Sequence, residues 1–116
     1  MIRRGDIYAV DLDAARGSEA EGRRPAVIVS NDAANMTAFR LGRGVVTIVP
    51  ISSNVEHVYP FQILLRPEET GIDRLSKAQA EQVRAVAVER IAERVGSVSA
   101  SLMGDIDEAL RLHLDL

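Results

Sequence analysis

Residues 17–32 read GSEAEGRRPAVIVSND, and this stretch decides the fold that the sequence predicts. Its first half is a charged loop, whereas residues 25–30 (PAVIVS) form a continuous apolar run, as expected of a strand buried on both faces. Ser30, Asn31 and Asp32 then supply helix-capping side chains, which predict a short helix or turn over residues 33–40. The stretch therefore predicts a long polar loop, a buried strand and a capped helix, in that order.

Other apolar runs on both sides of this stretch predict further strands. Residues 6–12 (DIYAVDL) and 44–51 (GVVTIVPI) each fit a strand, and residues 60–65 (PFQILL) begin another. Pro50 has no backbone N–H to donate, so it is expected near a strand end or at a sheet edge. Residues 67–73 predict a polar loop, while residues 76–88 fit either a helix or a strand.

The last segment predicts an amphipathic helix that Ser99 or Ser101 can cap. Residues four apart form its apolar stripe: Leu102, Ile106, Leu110 and Leu114. Periodicity does not decide whether this stripe packs internally or partly against a second copy. Several closely spaced strands and one terminal helix predict a mainly β, α+β fold, a small bent sheet or barrel, with residues 1–116 as a single domain.

Composition excludes several classes of protein. The 116 residues include no cysteine, so neither a disulfide framework nor thiolate chemistry is expected. No segment supplies the ~20 apolar residues of a membrane span. The first ten residues, MIRRGDIYAV, lack the apolar run of a signal peptide. These features predict a cytoplasmic protein without a membrane partner.

The distribution of charge is more informative than its sum. A net charge of −3 argues against a wholly basic nucleic-acid binder. Residues 1–53 nevertheless carry seven arginines against six acidic residues, whereas residues 54–116 carry seven lysines and arginines against eleven. Arginine matches phosphate oxygens better than lysine does, so the first half favours anion recognition. An arginine-rich solvated face accounts for the same counts equally well.

The sequence offers no pattern for a metal or a cofactor, and we predict neither. His57 and His113 are far apart, and no cysteine or histidine spacing fits a metal site. The loop that contains Gly17 lacks the Gly-Lys-Ser/Thr ending of a phosphate-binding P-loop. Aromatic residues make up only 3% of the chain, which argues against an extensive base-stacking platform.

Six short motifs in sequence order are more specific than any one of them. They are RGDIY (4–8), GSE (17–19), RPAVIVSND (24–32), VPISSN (49–54), YPF (59–61) and EQVR (81–84). Together the motifs span nearly the whole chain, which resembles the MazF/PemK family of toxin endoribonucleases.

That resemblance implies an SH3-like β barrel of the CcdB/PemK type, with short helices and a C-terminal helix. It also implies a homodimer that cuts single-stranded RNA without a metal, as the toxin of a type II toxin–antitoxin system. The 2′-OH would attack the phosphodiester, leaving a 2′,3′-cyclic phosphate or 3′-phosphate and a 5′-hydroxyl. A cognate MazE-like antitoxin would inhibit the toxin by laying a disordered tail across the RNA groove.

Three residues match catalytic positions of the family. Arg24 matches the catalytic arginine and is preferred to Arg23. Ser52 stands where the family usually has a threonine, and Ser53 is a rival for its role. Glu19 matches an acidic residue of some relatives and is the candidate general base. The residues expected to contact RNA are Arg23, Ser18, Asn31, Ser53, Asn54, Gln82 and Arg84, of which Gln82 and Arg84 also fit a dimer or structural role.

Two other functions remain open at this point. CcdB-type toxins share this scaffold but bind DNA gyrase and have no nuclease activity, and fold alone does not separate the two classes. Arg24 and the hydroxyl pair Ser52 and Ser53 favour the nuclease. The C-terminal residues 112–116 (LHLDL) lack the aromatic group that the gyrase poison uses. A catalytically silent family member that only titrates an antitoxin is the third alternative.

Overall fold

Seven strands and three helices make up the computed structural model, which describes residues 1–13, 16–20 and 22–116. The strands are β1 (Asp6–Leu12), β2 (Gly22–Ile28), β3 (Val45–Ser52), β4 (Gln62–Leu65), β5 (Ser76–Gln79), β6 (Arg84–Ala87) and β7 (Ile91–Ser97). The helices are α1 (Asp32–Leu41), α2 (Pro67–Thr70) and α3 (Ala100–Leu114). Two 3₁₀ turns, Ala80–Gln82 and Val88–Arg90, follow β5 and β6 respectively. We call Ala80–Gln82 the bridging turn.

The strands form one bent antiparallel sheet in the order β4-β5-β3-β2-β1-β7. Strand β6 lies off this path and pairs with the first half of β3, while β5 pairs with its second half. Strand β3 is therefore central, with β2 along one edge and β6 and β5 in succession along the other.

The interruption between β6 and β5 has a simple cause in Pro50. The backbone N–H and C=O of Thr47 bond toward β2, to the Ser30 hydroxyl and the Val29 N–H. Since alternate residues of a strand turn these groups to opposite edges, Pro50 faces the β5 and β6 edge, where it has no N–H to donate. The bridging turn lies in this gap. Pro50 is thus near a strand end, as expected, but in the central strand and not in an edge strand.

The sheet is bent but is not closed, because among the described residues β4 and β7 do not pair. The end of α2 approaches β7 instead. A Cβ atom on Gly96 would lie 2.1 Å from the carbonyl oxygen of Thr70, so only glycine permits this backbone contact. The predicted mainly β fold with short helices and a C-terminal helix is confirmed. At the contact between α2 and β7, which we call the glycine seam, backbone packing replaces the strand pairing that would close a barrel.

The two faces of the sheet carry separate apolar cores. The first lies on the side of α1 and includes Tyr8, Val10, Leu12, Ala20, Ala26, Ile28, Ala38, Val46, Ile48, Val86 and Val88. The second lies under α3 and includes Ile7, Val27, Val49, Ile51, Leu65, Ile72, Ala78, Met103 and Ile106. Both faces of β1, β2 and β3 are therefore buried, which explains why residues 25–30 form a continuous apolar run.

Most of the predicted elements are confirmed, with differences in the second half of the chain. Strand β1 and the capped helix α1 lie where the sequence indicates. The predicted polar loop over residues 67–73 contains the short helix α2, and the ambiguous residues 76–88 form β5, the bridging turn and β6. Strand β7 was not predicted. The polar loop predicted before β2 includes residues 14, 15 and 21, which lie outside the described residues.

The C-terminal helix begins after Ser99, whose hydroxyl accepts a hydrogen bond from the Leu102 N–H. Its buried side chains are Met103, Ile106 and Ala109, and Leu102 and Leu110 of the predicted stripe pack partly buried against the same core as Ile106. Leu114, at the end of the predicted stripe, is half exposed. Within the described residues, no helix is long and apolar enough to cross a membrane.

Candidate active site

The start of β2 and the end of β3 meet at one end of the sheet. Ala26 pairs with Pro50 there, and the same antiparallel register continued by two residues sets Arg24 opposite Ser52. Directly opposed residues of antiparallel strands project from the same face. The topology therefore brings together the two residues that the sequence selects as arginine clamp and hydroxyl donor.

The neighbouring arginine is engaged differently. Arg23 projects from the opposite face of β2 and forms an ion pair with Glu93 of β7, with both side chains more than half exposed. Arg24 is only partly exposed, and Pro25 after it restricts Arg24 to an extended backbone. The side-chain direction of Arg24 is thus better defined than that of an exposed loop arginine.

A cavity of about 440 Å³ opens beside these residues, and we call it the arginine cavity. Its walls are Gly22, Arg23, Arg24, Pro25, Ile51, Ser53, Asp73, Arg74 and Ser76. Three arginines against one acidic residue make it a site suited to an anion. Ser53 lines this cavity. Ser52, the preceding residue, projects from the opposite face of β3.

A second cavity of about 540 Å³ lies under the β1–β2 loop, and we call it the acid-rich cavity. Its walls are Asp13, Ser18, Glu19, Ala20, Glu81, Gln82, Val83 and Arg84. Ala20 belongs to the core on the α1 side of the sheet, which is also the side to which Ala26 and therefore Arg24 project. Arg24 thus lies between the two cavities. It lines the arginine cavity, and it projects from the sheet face on which Ala20 of the acid-rich cavity packs.

The β1–β2 loop, as far as it is described, is held at both ends. At its start, Arg90 donates two hydrogen bonds of 2.8 and 2.9 Å to the Asp13 carboxylate, and this contact raises the pKa of Arg90. Further along, Gln82 donates to the Ser18 carbonyl and accepts from the Ala20 N–H, at 2.8 and 3.1 Å. Within the loop, the Glu19 carboxylate accepts from the Arg16 N–H.

The connection from β3 to β4 begins with the hydroxyl pair. Ser52 is buried, and its hydroxyl accepts a hydrogen bond from the Asn54 N–H at 3.2 Å. A serine hydroxyl that accepts one bond retains a proton to donate. The Asn54 carboxamide accepts in turn from the Glu56 N–H, so the side chains of both residues shape the turn that follows β3.

Lys77 fixes the middle of this connection. It is the only lysine of the chain, it is 7% exposed, and it pairs with Ser52 in the ladder between β3 and β5. Its ammonium group donates to the His57 carbonyl at 2.7 Å. A buried cation therefore holds the segment that follows the candidate hydroxyl donor.

Asn31 lies elsewhere in the molecule. It caps α1 by accepting from the Ala34 N–H at 2.8 Å, at the opposite end of β2 from Arg24. The two positions are seven residues apart in sequence, and the extended chain from Arg24 to the end of β2 at Ile28 already spans about 13 Å. We therefore leave Asn31 out of the proposed site, and its expected RNA contact stays an untested prediction.

The structure adds residues to the site that the sequence did not indicate. Asp73, Arg74 and Ser76 line the arginine cavity, and Lys77 lies beside Ser52. Residues 73–77 are adjacent to the site only because β5 pairs with β3. No local pattern in the sequence reveals that pairing, so residue-by-residue analysis could not have found them.

No group of three or more histidine, cysteine or acidic side chains is arranged to hold a metal ion within the described residues. Burial, with a smaller effect of Asp6, raises the pKa of Tyr8, which belongs to the core and not to either cavity. The polar groups at this end of the sheet are thus arginines, hydroxyls, amides and carboxylates, which can clamp an anion and exchange protons with it.

Comparison with known proteins places these features in context. A family model described as "PemK-like, MazF-like toxin of type II toxin-antitoxin system" matches residues 3–114. Endoribonuclease MazF9 of Mycobacterium tuberculosis is 60% identical over 116 residues, covering 100% of this chain and 98% of that protein.

Two solved structures share the fold at low sequence identity. One is MazF from Deinococcus radiodurans, with a TM-score of 0.79 and 23% identity over 99% of this chain and 97% of that one. The other is a mycobacterial endoribonuclease in complex with its cognate antitoxin, with a TM-score of 0.79 and 22% identity over 100% and 97% of the two chains. At this identity the likeness establishes the fold.

Proposed function

The chain belongs to the family of PemK-like, MazF-like toxins of type II toxin–antitoxin systems, and from this we propose that it is an endoribonuclease that cuts single-stranded RNA. The 60% identical relative, matched over the full length of this chain, is named an endoribonuclease. One structural argument carries the proposal to particular atoms: the register of β2 and β3, paired as far as Ala26 and Pro50, would set Arg24 opposite Ser52 if continued by two residues, beside a cavity lined by three arginines.

RNA contains its own nucleophile, so the enzyme has only to position and stabilise. The 2′-oxygen forms a bond to phosphorus while the bond from phosphorus to the 5′-oxygen breaks. The proton leaves the 2′-OH, and the departing 5′-oxygen gains one, giving a 2′,3′-cyclic phosphate and a 5′-hydroxyl. Catalysis then depends on in-line geometry and on neutralising the charge that develops on the equatorial oxygens.

Arg24 is the residue suited to that charge. Its guanidinium carries a planar set of donors that can bind two oxygens of one phosphate. Arg74 also lines the arginine cavity, and its side chain is more than half exposed. It can therefore approach the next phosphate of the RNA backbone. Ser52 donates its hydroxyl proton to a nonbridging oxygen or orients the 2′-OH, while its own position is fixed by the Asn54 N–H.

Glu19 is the proposed general base, because it is the carboxylate of the loop next to Arg24 that also matches the family motif. Glu19 lies three positions before Gly22, the first residue of β2. The bond from the Arg16 N–H to one carboxylate oxygen orients the side chain and leaves the other oxygen to accept a proton. The proton for the 5′-oxygen is left to water or to Ser52.

The partners follow from the same family. We propose a MazE-like antitoxin, since a solved relative of the same fold is bound to its cognate antitoxin. An acidic antitoxin segment would compete with RNA for Arg24 and Arg74. We also propose a cytoplasmic homodimer, for which the exposed leucines at the end of α3 offer apolar surface: Leu112, Leu114 and Leu116.

The test is cleavage of end-labelled single-stranded RNA in excess EDTA, with analysis of the new ends. Wild-type protein is expected to give discrete fragments with 5′-hydroxyl ends. The same RNA with a 2′-deoxy nucleotide at the cleavage position should resist, because the nucleophile is missing. Arg24→Ala protein, purified identically, controls for a contaminating ribonuclease and should leave the RNA intact.

Two results would reject the proposal. Failure of wild-type protein to cut any of a diverse set of RNAs would leave the CcdB-like gyrase-binding toxin, which a gyrase pull-down and a supercoiling assay would then test. Cleavage by Arg24→Ala at a rate close to that of wild type would move the chemistry away from this end of the sheet.

A further inference from the structure

We propose that Gln82 is a positioning residue that fixes the RNA-recognising β1–β2 loop, and that it does not itself read the RNA. Resting on the proposed endoribonuclease function, this inference assigns a role to a side chain that sequence alone would place among the RNA contacts. It concerns how the loop carrying Ser18 and Glu19 keeps its shape when no RNA is bound.

The geometry of Gln82 is that of a latch across the loop. The carboxamide nitrogen donates to the Ser18 carbonyl at 2.8 Å, and the carboxamide oxygen accepts from the Ala20 N–H at 3.1 Å. The two bonds span Glu19, the candidate base, from a position more than 60 residues away in the chain. Both ends of the amide group are therefore used on backbone atoms on either side of one catalytic side chain.

The support under the latch is itself fixed. Gln82 is the last residue of the bridging turn, and Ala80, the first, is 2% exposed. Glu81 between them accepts a hydrogen bond of 2.6 Å from the carboxamide of Gln62, which is 6% exposed in β4. Helix α3 also packs on this turn. The turn is thus braced by the sheet and by the helix, so it can hold a loop in place.

The latch shapes one wall of the acid-rich cavity. Ser18, Glu19 and Ala20 form the loop side of that cavity, and Glu81, Gln82 and Val83 form the opposite side. The two hydrogen bonds of Gln82 join the walls, so they set the width of the opening between them. If the loop moved away, Ser18 and Glu19 would move with it.

The two bonds leave one N–H and one oxygen lone pair of the Gln82 carboxamide unused, so what limits direct reading is the orientation of the group. If the side chain turned its amide toward a base edge, it would leave the Ser18 carbonyl and the Ala20 N–H, which would then need other partners. Ala20 is 8% exposed, so its freed N–H would have little access to water. The latch therefore keeps the Ala20 N–H hydrogen-bonded, whereas turning Gln82 toward a base would leave this N–H without a partner.

The test combines amide exchange with cleavage selectivity in two variants and a matched control. Gln82→Leu removes both bonds, whereas Gln82→Glu keeps the acceptor for Ala20 and removes the donor to Ser18. Gln79→Leu is the control. It makes the same glutamine-to-leucine change three residues earlier, at the last residue of β5, where the carboxamide oxygen has no hydrogen-bond partner. Thermal unfolding of each protein verifies that it is folded.

In the RNA-free protein we expect the Ala20 amide to exchange about tenfold faster in Gln82→Leu than in wild type, as loss of one hydrogen bond implies. Gln82→Glu should be intermediate, and Gln79→Leu should match wild type. We also expect the ratio of kcat/KM between a preferred RNA and its single-base variants to fall about tenfold in Gln82→Leu, mainly through a higher KM for the preferred RNA.

Two outcomes would overturn the inference. If selectivity falls while the Ala20 amide exchanges as in wild type, Gln82 reads RNA directly. If the amide exchanges faster while selectivity is unchanged, the loop does not take part in recognition. Failure of the proposed function would be seen separately, as an inactive wild-type protein, and the inference about recognition would fall with it.

Discussion

The two ends of strand β2 are both polar, but they are organised in opposite ways. At its C-terminal end, Asn35 is fully buried and bonds to the side chain and carbonyl of Ser30, while Asn31 caps α1. At its N-terminal end, Arg23 and Arg24 line cavities next to the β1–β2 loop, which Arg90 and Gln82 hold. The C-terminal end, which we call the closed end, satisfies its polar groups internally, whereas at the N-terminal end, which we call the open end, polar side chains line cavities.

The same difference separates six of the seven arginines of residues 1–53. Arg4 donates to the Val29 carbonyl and pairs with Asp107 of α3, so it ties the helix to the sheet near the closed end. Arg40 and Arg43 lie at or just after the end of α1, on that side as well. Only Arg16, Arg23 and Arg24 stand near the open end. A surplus of arginine in the first half therefore did not identify one phosphate-binding surface.

The largest expected effect is at the open end, in Arg24. Arg24→Ala should lower kcat/KM for RNA by about 10²–10³-fold, as loss of a preorganised charge stabiliser does. Arg23→Ala is the comparison variant and should lower kcat/KM less than Arg24→Ala does, because Arg23 also lines the arginine cavity but its side chain is paired with Glu93 on the opposite face of β2. Initial rates on a labelled RNA measure both. Equal losses of kcat/KM in the two variants would mean that the face of β2 from which an arginine projects does not determine its role in catalysis.

The hydroxyl pair gives the next largest effect. Ser52→Ala should lower kcat by about 10–100-fold, since a hydrogen bond to a charged phosphate is lost. Ser53→Ala should change kcat little, and Ser52→Thr should retain activity because it keeps the hydroxyl. Single-turnover cleavage separates the chemical step from binding. A larger loss in Ser53→Ala would transfer the role to the residue that lines the arginine cavity.

At the closed end, the expected effect is on stability and not on rate. Asn35→Ala should lower the free energy of unfolding by about 2 kcal/mol, because Asn35 is fully buried and its loss leaves the Ser30 hydroxyl proton and carbonyl without their partner. Urea denaturation measures this change. Cleavage by the folded fraction should be unchanged, and a loss of catalysis there would contradict the division between the two ends.

The smallest expected effect is at the helix cap. Asn31→Ala should cost about 1 kcal/mol of stability, whereas Asn31→Asp keeps the acceptor for the Ala34 N–H and should cost less. RNA cleavage should be the same in both variants. If either variant binds or cuts RNA less well while remaining folded, the RNA contact predicted for Asn31 from sequence would be supported.

Site residues that belong to a contiguous sequence motif could be predicted, whereas those that reach the site through strand pairing could not. Arg24 and Ser52 belong to contiguous motifs, so the sequence could select them without knowing the topology. Arg74 and Lys77 reach the site because β5 pairs with β3, and Gln82 reaches the loop because Pro50 interrupts that edge of the sheet. These contacts join residues far apart in sequence, which local patterns do not encode.

The sequence by itself determined strand β1, the buried character of β2, the caps of α1 and α3, and the motifs shared with the toxin family. Each depends on residues within one or two turns of one another, where side-chain chemistry and periodicity are sufficient. Only the tertiary structure decided that the sheet meets at a glycine seam, that Arg23 pairs with Glu93, and that Gln82 spans Glu19. Those features depend on strand register and on the packing of distant segments, which the whole fold sets at once.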